Sequence, residues 1–270
     1  MSLKKHAIGE SAKPLPLKVA SVVGRSTPQQ VVFCDFDGPI VDVSERYYQT
    51  YCQGLRAIAR QIQYDSGKQL DLFPLSKQCF WEMKQNRVAD IEIATRSGLP
   101  EVLFPIFMQQ VQRIVNHPSL LLWDTIQPTA RQALEYFNQC GFRVVLVTLR
   151  HPRQVNDFLH AQGLAHLIAE VYGSADINAA QANRVEQKCE LLERAIAQQK
   201  AQGHYTANSW MIGDTEADII AGQTFNLSTA ALSCGVRSRS YLQRLGPVEL
   251  YCSLLQAAQA VVDIAALQVA

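Results

Sequence analysis

From Ile126 onward the chain alternates short, apolar, β-branched runs with helical patterns at intervals of roughly 25 to 35 residues, and this rhythm leaves few folds open. The runs "FRVVLVT" (142–148), "IAEVYG" (168–173), "SWMIGD" (209–214) and "STAALSC" (228–234) are bounded by Gly, Asp, Thr or Ser. They read as strands buried on both faces, as in a parallel sheet. Helical patterns fill 128–140, 152–161, 185–201 and 215–224, and "VVFCD" (31–35) is a further strand of the same set. The expected fold class is α/β, a doubly wound Rossmann-like parallel sheet.

One gap breaks the rhythm. From Asp37 to Thr148 is 111 residues, whereas a βαβ unit needs only about 30 or slightly more. Residues 44–122 are rich in Tyr, Gln, Arg and Ile at helical spacing, so they are expected to form an inserted α-helical subdomain. The expected organisation is an N-terminal extension (1–28), an α/β core built from 29–43 and 123–270, and the insert between the two core segments.

Charge composition excludes some partners. With 25 basic and 24 acidic residues the formal charge is +1, so no global field draws the chain to nucleic acid or an anionic membrane. No stretch approaches the ~20 apolar residues of a membrane span, and the first 28 residues lack a secretory apolar run. Seven scattered cysteines without a CxxC pair suit reduced thiols in a cytoplasmic protein. Cys34, next to an aspartate, is expected to face the core as an inert thiol.

In open α/β sheets, ligands bind beyond the carboxyl ends of the strands. Asp35 and Asp37 close the first strand, Thr148 the second and Asp214 the fourth, while Lys188 lies near the start of the helix after the third. Ionised carboxylates gathered at one edge repel one another and call for a cation. All-oxygen ligands favour a hard ion, and Mg²⁺ fits best because it binds one or two carboxylates, keeps waters and accepts phosphate oxygens. Lys188 and Thr148 would donate to the other phosphate oxygens.

"DFDGPIVD" (35–42), Thr148 at the end of "VVLVT", Lys188 in "VEQKCELL" and "GDTEAD" (213–218) resemble, in order and at the strand ends, the four motifs of the haloacid dehalogenase-like hydrolases. The resemblance covers 31 to about 235, and "GVRSRSYLQRLGP" is similar to the family's closing segment. It implies that Asp35 is a nucleophile carrying an aspartyl-phosphate, and that Asp37 is an acid and then a base. Asp35, Asp214 and the main-chain carbonyl of Asp37 would hold the metal, and Asp218 would orient Lys188 or the metal's waters. Pro39 and the "LRHP" after Thr148 depart from the commoner pattern, and the latter could bring Arg150 or His151 into the site.

The resemblance also implies that the insert is a cap closing over the site. The second aspartate, Asp37, argues for phosphate esters over halides or phosphonates. The expected enzyme is a Mg²⁺-dependent phosphatase of small metabolites, similar to phosphoglycolate phosphatases. A phosphomutase-like transferase and a non-catalytic phospho-ligand-binding module are the alternatives. Lys84, Asn86 or Arg87, in "CFWEMKQNRVAD" (79–90), are candidates for the leaving group. Tyr47, Tyr48 and Tyr51, at helical spacing, read as core of the insert. Oligomeric state has no signal in the sequence.

Overall fold

The computed structural model describes residues 27–246 and 249–269, so nearly all of the expected extension 1–28 lies outside the described residues. Eight strands are present: β1 (Gln30–Cys34), β2 (Val41–Asp42), β3 (Thr125–Ile126), β4 (Phe142–Thr148), β5 (Glu170–Gly173), β6 (Tyr205–Gly213), β7 (Ser228–Leu232) and β8 (Glu249–Tyr251). Six of them form one parallel sheet in the order β5-β4-β1-β6-β7-β8. The α/β class and doubly wound sheet are those expected.

Side-chain alternation along β1 shows why its apolar run is continuous. Val32 and Cys34 join Val144, Leu146 and Ile212 in the core on one face, whereas Val31 and Phe33 join Val145, Val147 and Met211 on the other. Cys34 is 1% exposed, which suits the inert core role. Burial of both faces removes any need for polar alternation.

The helices of the insert are α1 (Ser44–Ser66), α2 (Lys77–Gln85), α3 (Asp90–Arg96), α4 (Phe104–Ile114) and α5 (Pro118–Leu121). The left-handed Gly67 ends α1 by donating its N–H to Gln63 O. Tyr51, Leu55, Ile58, Phe80, Ile93 and Phe107 bury one another, giving the insert a core of its own, with Tyr47 and Tyr48 packed against it. Entering and leaving chains pair as the antiparallel β2 and β3, Val41 opposite Ile126.

The remaining helices are α6 (Ala130–Gln139), α7 (Pro152–Ala161), α8 (Ala179–Ala182), α9 (Val185–Ala201), α10 (Glu216–Thr224), α11 (Arg239–Leu242) and α12 (Leu254–Val269). Side chains of α6, α7 and α12 cover one sheet face, and those of α9 and α10 the other. Some boundaries differ from expectation, β7 among them, which ends at Leu232. β5 begins at Glu170 because Ala165–Leu167 take a 3-10 turn. β6 begins at Tyr205, with a register shift against β1. β8 and α12 extend the core beyond the expected last strand.

Candidate active site

β1 lies between β4 and β6, where the strand order reverses and a cleft opens beyond the carboxyl ends. Asp35 prolongs β1 into that cleft, its N–H donating to Ile212 O at 2.8 Å. One carboxylate oxygen accepts from the Phe36 N–H at 2.7 Å, and the other lies 3.0 Å from Lys188 Nζ. Lys188, on α9, also lies 2.7 Å from Asp218 Oδ1 and donates to Val147 O at 3.1 Å. All three of its N–H groups are therefore engaged.

Asp214 follows β6 directly. A side chain on Gly38 or Gly235 would run into its carboxylate, and Gly38 has φ +96°, which a larger residue resists. Asp214 Oδ2 accepts from the Val236 N–H, while Oδ1 is buried without a hydrogen-bond partner. Asp218, in the first turn of α10, accepts with Oδ2 from the N–H groups of Asp214 and Thr215 and from the Thr215 hydroxyl. It thus caps its helix and anchors Lys188 at once.

Asp35, Asp214 and Asp218 can each offer one oxygen within 4.8 Å of the others. Three buried carboxylates against one ammonium leave an excess of negative charge. Burial, reinforced by Asp218 and only partly offset by Lys188, pushes Asp35 up to about 7. Burial and the neighbours Asp218 and Asp35 raise Asp214 well above the carboxylate range. Burial alone would lower Lys188, but Asp218 and Asp35 outweigh it and hold the ammonium charged. The hard oxygen donors, the unpartnered Asp214 oxygen and the charge excess together fit a divalent cation.

Asp37 belongs to a different group. Its carboxylate turns from the cluster to Arg150 Nη1 at 2.9 Å and Arg46 Nη2 at 3.2 Å. The same two arginines bind Asp124, at 2.6 Å and 2.7 Å. Burial pushes Asp37 up, but Arg150 and Arg46 outweigh it and hold its carboxyl below the usual range. A metal-binding part for Asp37 is thereby limited to its main-chain carbonyl, because its side chain is committed elsewhere.

Arg150 enters the site yet differs from the expected substrate contact: it is 3% exposed and spends its guanidinium on the two aspartates. His151 instead caps α7, accepting from the Arg153 N–H. Thr148 accepts from the Arg150 N–H at 3.2 Å, leaving its own hydroxyl proton for a ligand in the cleft that it lines. Lys84 and Arg87 line the same cleft, paired to Asp90 at 2.7 Å and Glu216 at 3.1 Å. Asn86 is away from it, accepting from the Ser238 hydroxyl.

Four residues escaped the sequence reading. Arg46 and Asp124 lie 78 positions apart and meet only in three dimensions. Gln181, on α8, and Asn183, just after it, line the cleft, each with a buried amide atom that has no partner. The polar run "SADINAAQANR" ahead of Lys188 was the available signal for these two.

A family model described as haloacid dehalogenase-like hydrolase matches residues 29–226. A phosphoglycolate phosphatase of Psychrobacter arcticus is 29% identical over 126 residues, 46% of this chain and 50% of that protein. The chain thus spans about half the length of that curated relative. A structure described as a predicted phosphatase from Clostridium acetobutylicum superposes with a TM-score of 0.61 at 15% identity, covering 88% of this chain and 100% of that one. A predicted phosphoglycolate phosphatase from Haemophilus somnus gives 0.58 at 17% identity, covering 88% and 99%. Protein Tyrosine Kinase A of Mycobacterium tuberculosis gives 0.60 at 14%, covering 87% and 99%, so the fold is shared across differently named proteins.

Proposed function

The chain belongs to the haloacid dehalogenase-like hydrolases, and from that premise we propose that it is a Mg²⁺-dependent phosphatase of a small phosphorylated metabolite, acting through an aspartyl-phosphate on Asp35. The observation that carries this reading is the charge excess of Asp35, Asp214 and Asp218 around the single Lys188. Asp35 and Asp214, with the main-chain carbonyl of Asp37, would hold the ion, which supplies charge neutralisation for the phosphoryl oxygens.

An Asp35 oxygen attacks phosphorus, the bond from phosphorus to the ester oxygen breaks, and that oxygen takes a proton from Asp37. Water then attacks the same phosphorus, gives a proton to Asp37 and releases inorganic phosphate, which regenerates Asp35. Arg46 and Arg150 keep Asp37 ionised in the arrangement seen, which suits its part as base. Its part as acid calls for one guanidinium to withdraw. Lys188 restrains Asp35, Asp218 restrains Lys188, and the Thr148 hydroxyl would donate to a phosphoryl oxygen.

Residues 44–122 serve as a cap over the core formed by 29–43 and 123–270, excluding water during transfer. Seven cysteines without a disulfide, and no described helix long and apolar enough to cross a membrane, support a cytoplasmic setting. The test is inorganic phosphate release from a panel of phosphate monoesters with Mg²⁺ and with a chelator. Release that needs the metal, with phosphate recovered on Asp35 after acid quench, is expected. Undiminished turnover in chelator overturns the metal role, and transfer to a second sugar without phosphate release would assign a mutase.

A further inference from the structure

The cleft above Asp35 continues into the helical insert, and its walls change character there. From the insert it is lined by Tyr47, Tyr51, Phe80, Phe107, Met108 and Val111, with Ile93 and Val115 beside them. Two of its hydroxyls are spent internally: that of Tyr51 accepts from the Leu75 N–H, and that of Thr50 donates to Arg46 O. The Tyr51 ring stacks on Phe80 with centroids 4.7 Å apart, which fixes that wall. The whole cleft, from Asp35 on the core to Val111 in the insert, holds about 110 Å³.

Each cation around the cleft lies beside a carboxylate, with Arg87 and Arg237 having one carboxylate between them. Lys84 is held by Asp90, and Arg87 and Arg237 share Glu216, at 3.1 Å and 2.8 Å. Arg46 and Arg150 are consumed by Asp37 and Asp124, and Lys188 by Asp35 and Asp218. Gln181 and Asn183 offer amides, which are neutral; Asn183 sits beside Thr215 on the core side. A second anionic group on a substrate, entering the part walled by Tyr51, Phe80, Phe107, Met108 and Val111, would lose its water and meet no positive charge among those side chains.

We infer that the leaving group accepted by this enzyme is apolar and uncharged, an alkyl or aryl alcohol seated among Tyr47, Tyr51, Phe80, Phe107, Met108 and Val111, and not a carboxylate-bearing one such as glycolate. This rests on the phosphatase reading of Asp35 and names its substrate class. The apolar wall contributes by desolvating the alkyl or aryl part, while the phosphoryl group stays with the core residues.

The test compares straight-chain alkyl phosphates from ethyl to hexyl with glycerol 1-phosphate and phosphoglycolate, using the full chain with Mg²⁺ and reading phosphate release. Each methylene is expected to raise kcat/KM about threefold until the chamber is full, with butyl phosphate ahead of phosphoglycolate by about tenfold or more. A flat or falling series, or a preference for phosphoglycolate, overturns the inference while leaving a phosphatase in place. No release from any ester sinks the phosphatase reading and this inference with it. Met108→Lys, at a partly exposed wall position, gives a second readout, since its ammonium should shift the preference toward phosphoglycolate about tenfold. An unchanged ratio in a folded Met108→Lys protein also overturns the inference.

Discussion

Arg46 Nη2, on the first helix of the insert, lies 3.2 Å from Asp37 Oδ2 on the core, and both side chains are almost wholly buried. The same guanidinium gives Nε to Asp124 at 2.7 Å, on the chain returning from the insert. With Arg150 completing the set, two cations and two anions form a neutral cluster where insert and core join. Because water is excluded, removal of one member strands the others.

Arg46→Met should therefore lower stability by about 3–5 kcal/mol, read as a drop in Tm or in denaturant midpoint. It should also let Asp37 rise toward ordinary carboxylate values, moving the basic limb of the kcat/KM profile, which reports the protonated Asp37 needed to release the ester oxygen, to higher pH. Arg46→Lys should recover only part of either effect, since one compact ammonium cannot reproduce a guanidinium reaching two carboxylates. An Arg46→Met protein with wild-type stability and pH profile would contradict the cluster's role.

Metal affinity should depend on pH with a definite sign. Asp35 stands at about 7 in the metal-free fold against an ordinary value of 3.8, so its contribution favours the metal-free fold below the lower value and is lost as pH rises through the upper one. Mg²⁺ binding at Asp35, as proposed above, would have to displace that proton. Apparent affinity, measured by calorimetric titration between about pH 5.5 and 8, should rise by up to tenfold per pH unit and level off above about 7. A flat profile would mean that Asp35 does not bind the ion.

Asp35→Asn should reduce turnover by on the order of 10⁴-fold or more, since an amide is no nucleophile. Metal-free Tm should change little, because the substitution removes one member of a cluster with excess negative charge while Lys188 keeps Asp218. The rise in Tm on adding Mg²⁺ should shrink at the same time. Retention of steady-state activity would sink the covalent mechanism.

Lys84→Ala and Arg87→Ala should each alter kcat/KM by only a few-fold for every ester. Both cations are satisfied by carboxylates of the protein, and the Arg87 side chain is 49% exposed. Such pairs contribute about 0–1 kcal/mol. A selective collapse with one substrate would restore them as leaving-group contacts and free their present partners for another purpose.

Periodicity and strand-end chemistry gathered the buried strands of the sheet and the line Asp35, Thr148, Lys188, Asp214, because each of these is a local property combined with one topological rule, while Asp218 came with the family resemblance. Apolar runs name strands, and parallel strands in one sheet bring their carboxyl ends together. Tertiary structure decided what depends on meetings between distant segments: the Arg46–Asp124 pair, and β2 against β3, two residues each and too short to leave a period. It also decided which charges are free. Lys84, Arg87 and Arg150 look like available cations in sequence, and only the fold shows each beside a carboxylate. A side chain's charge is written in its residue type, but whether that charge is already neutralised depends on neighbours that chain order does not record.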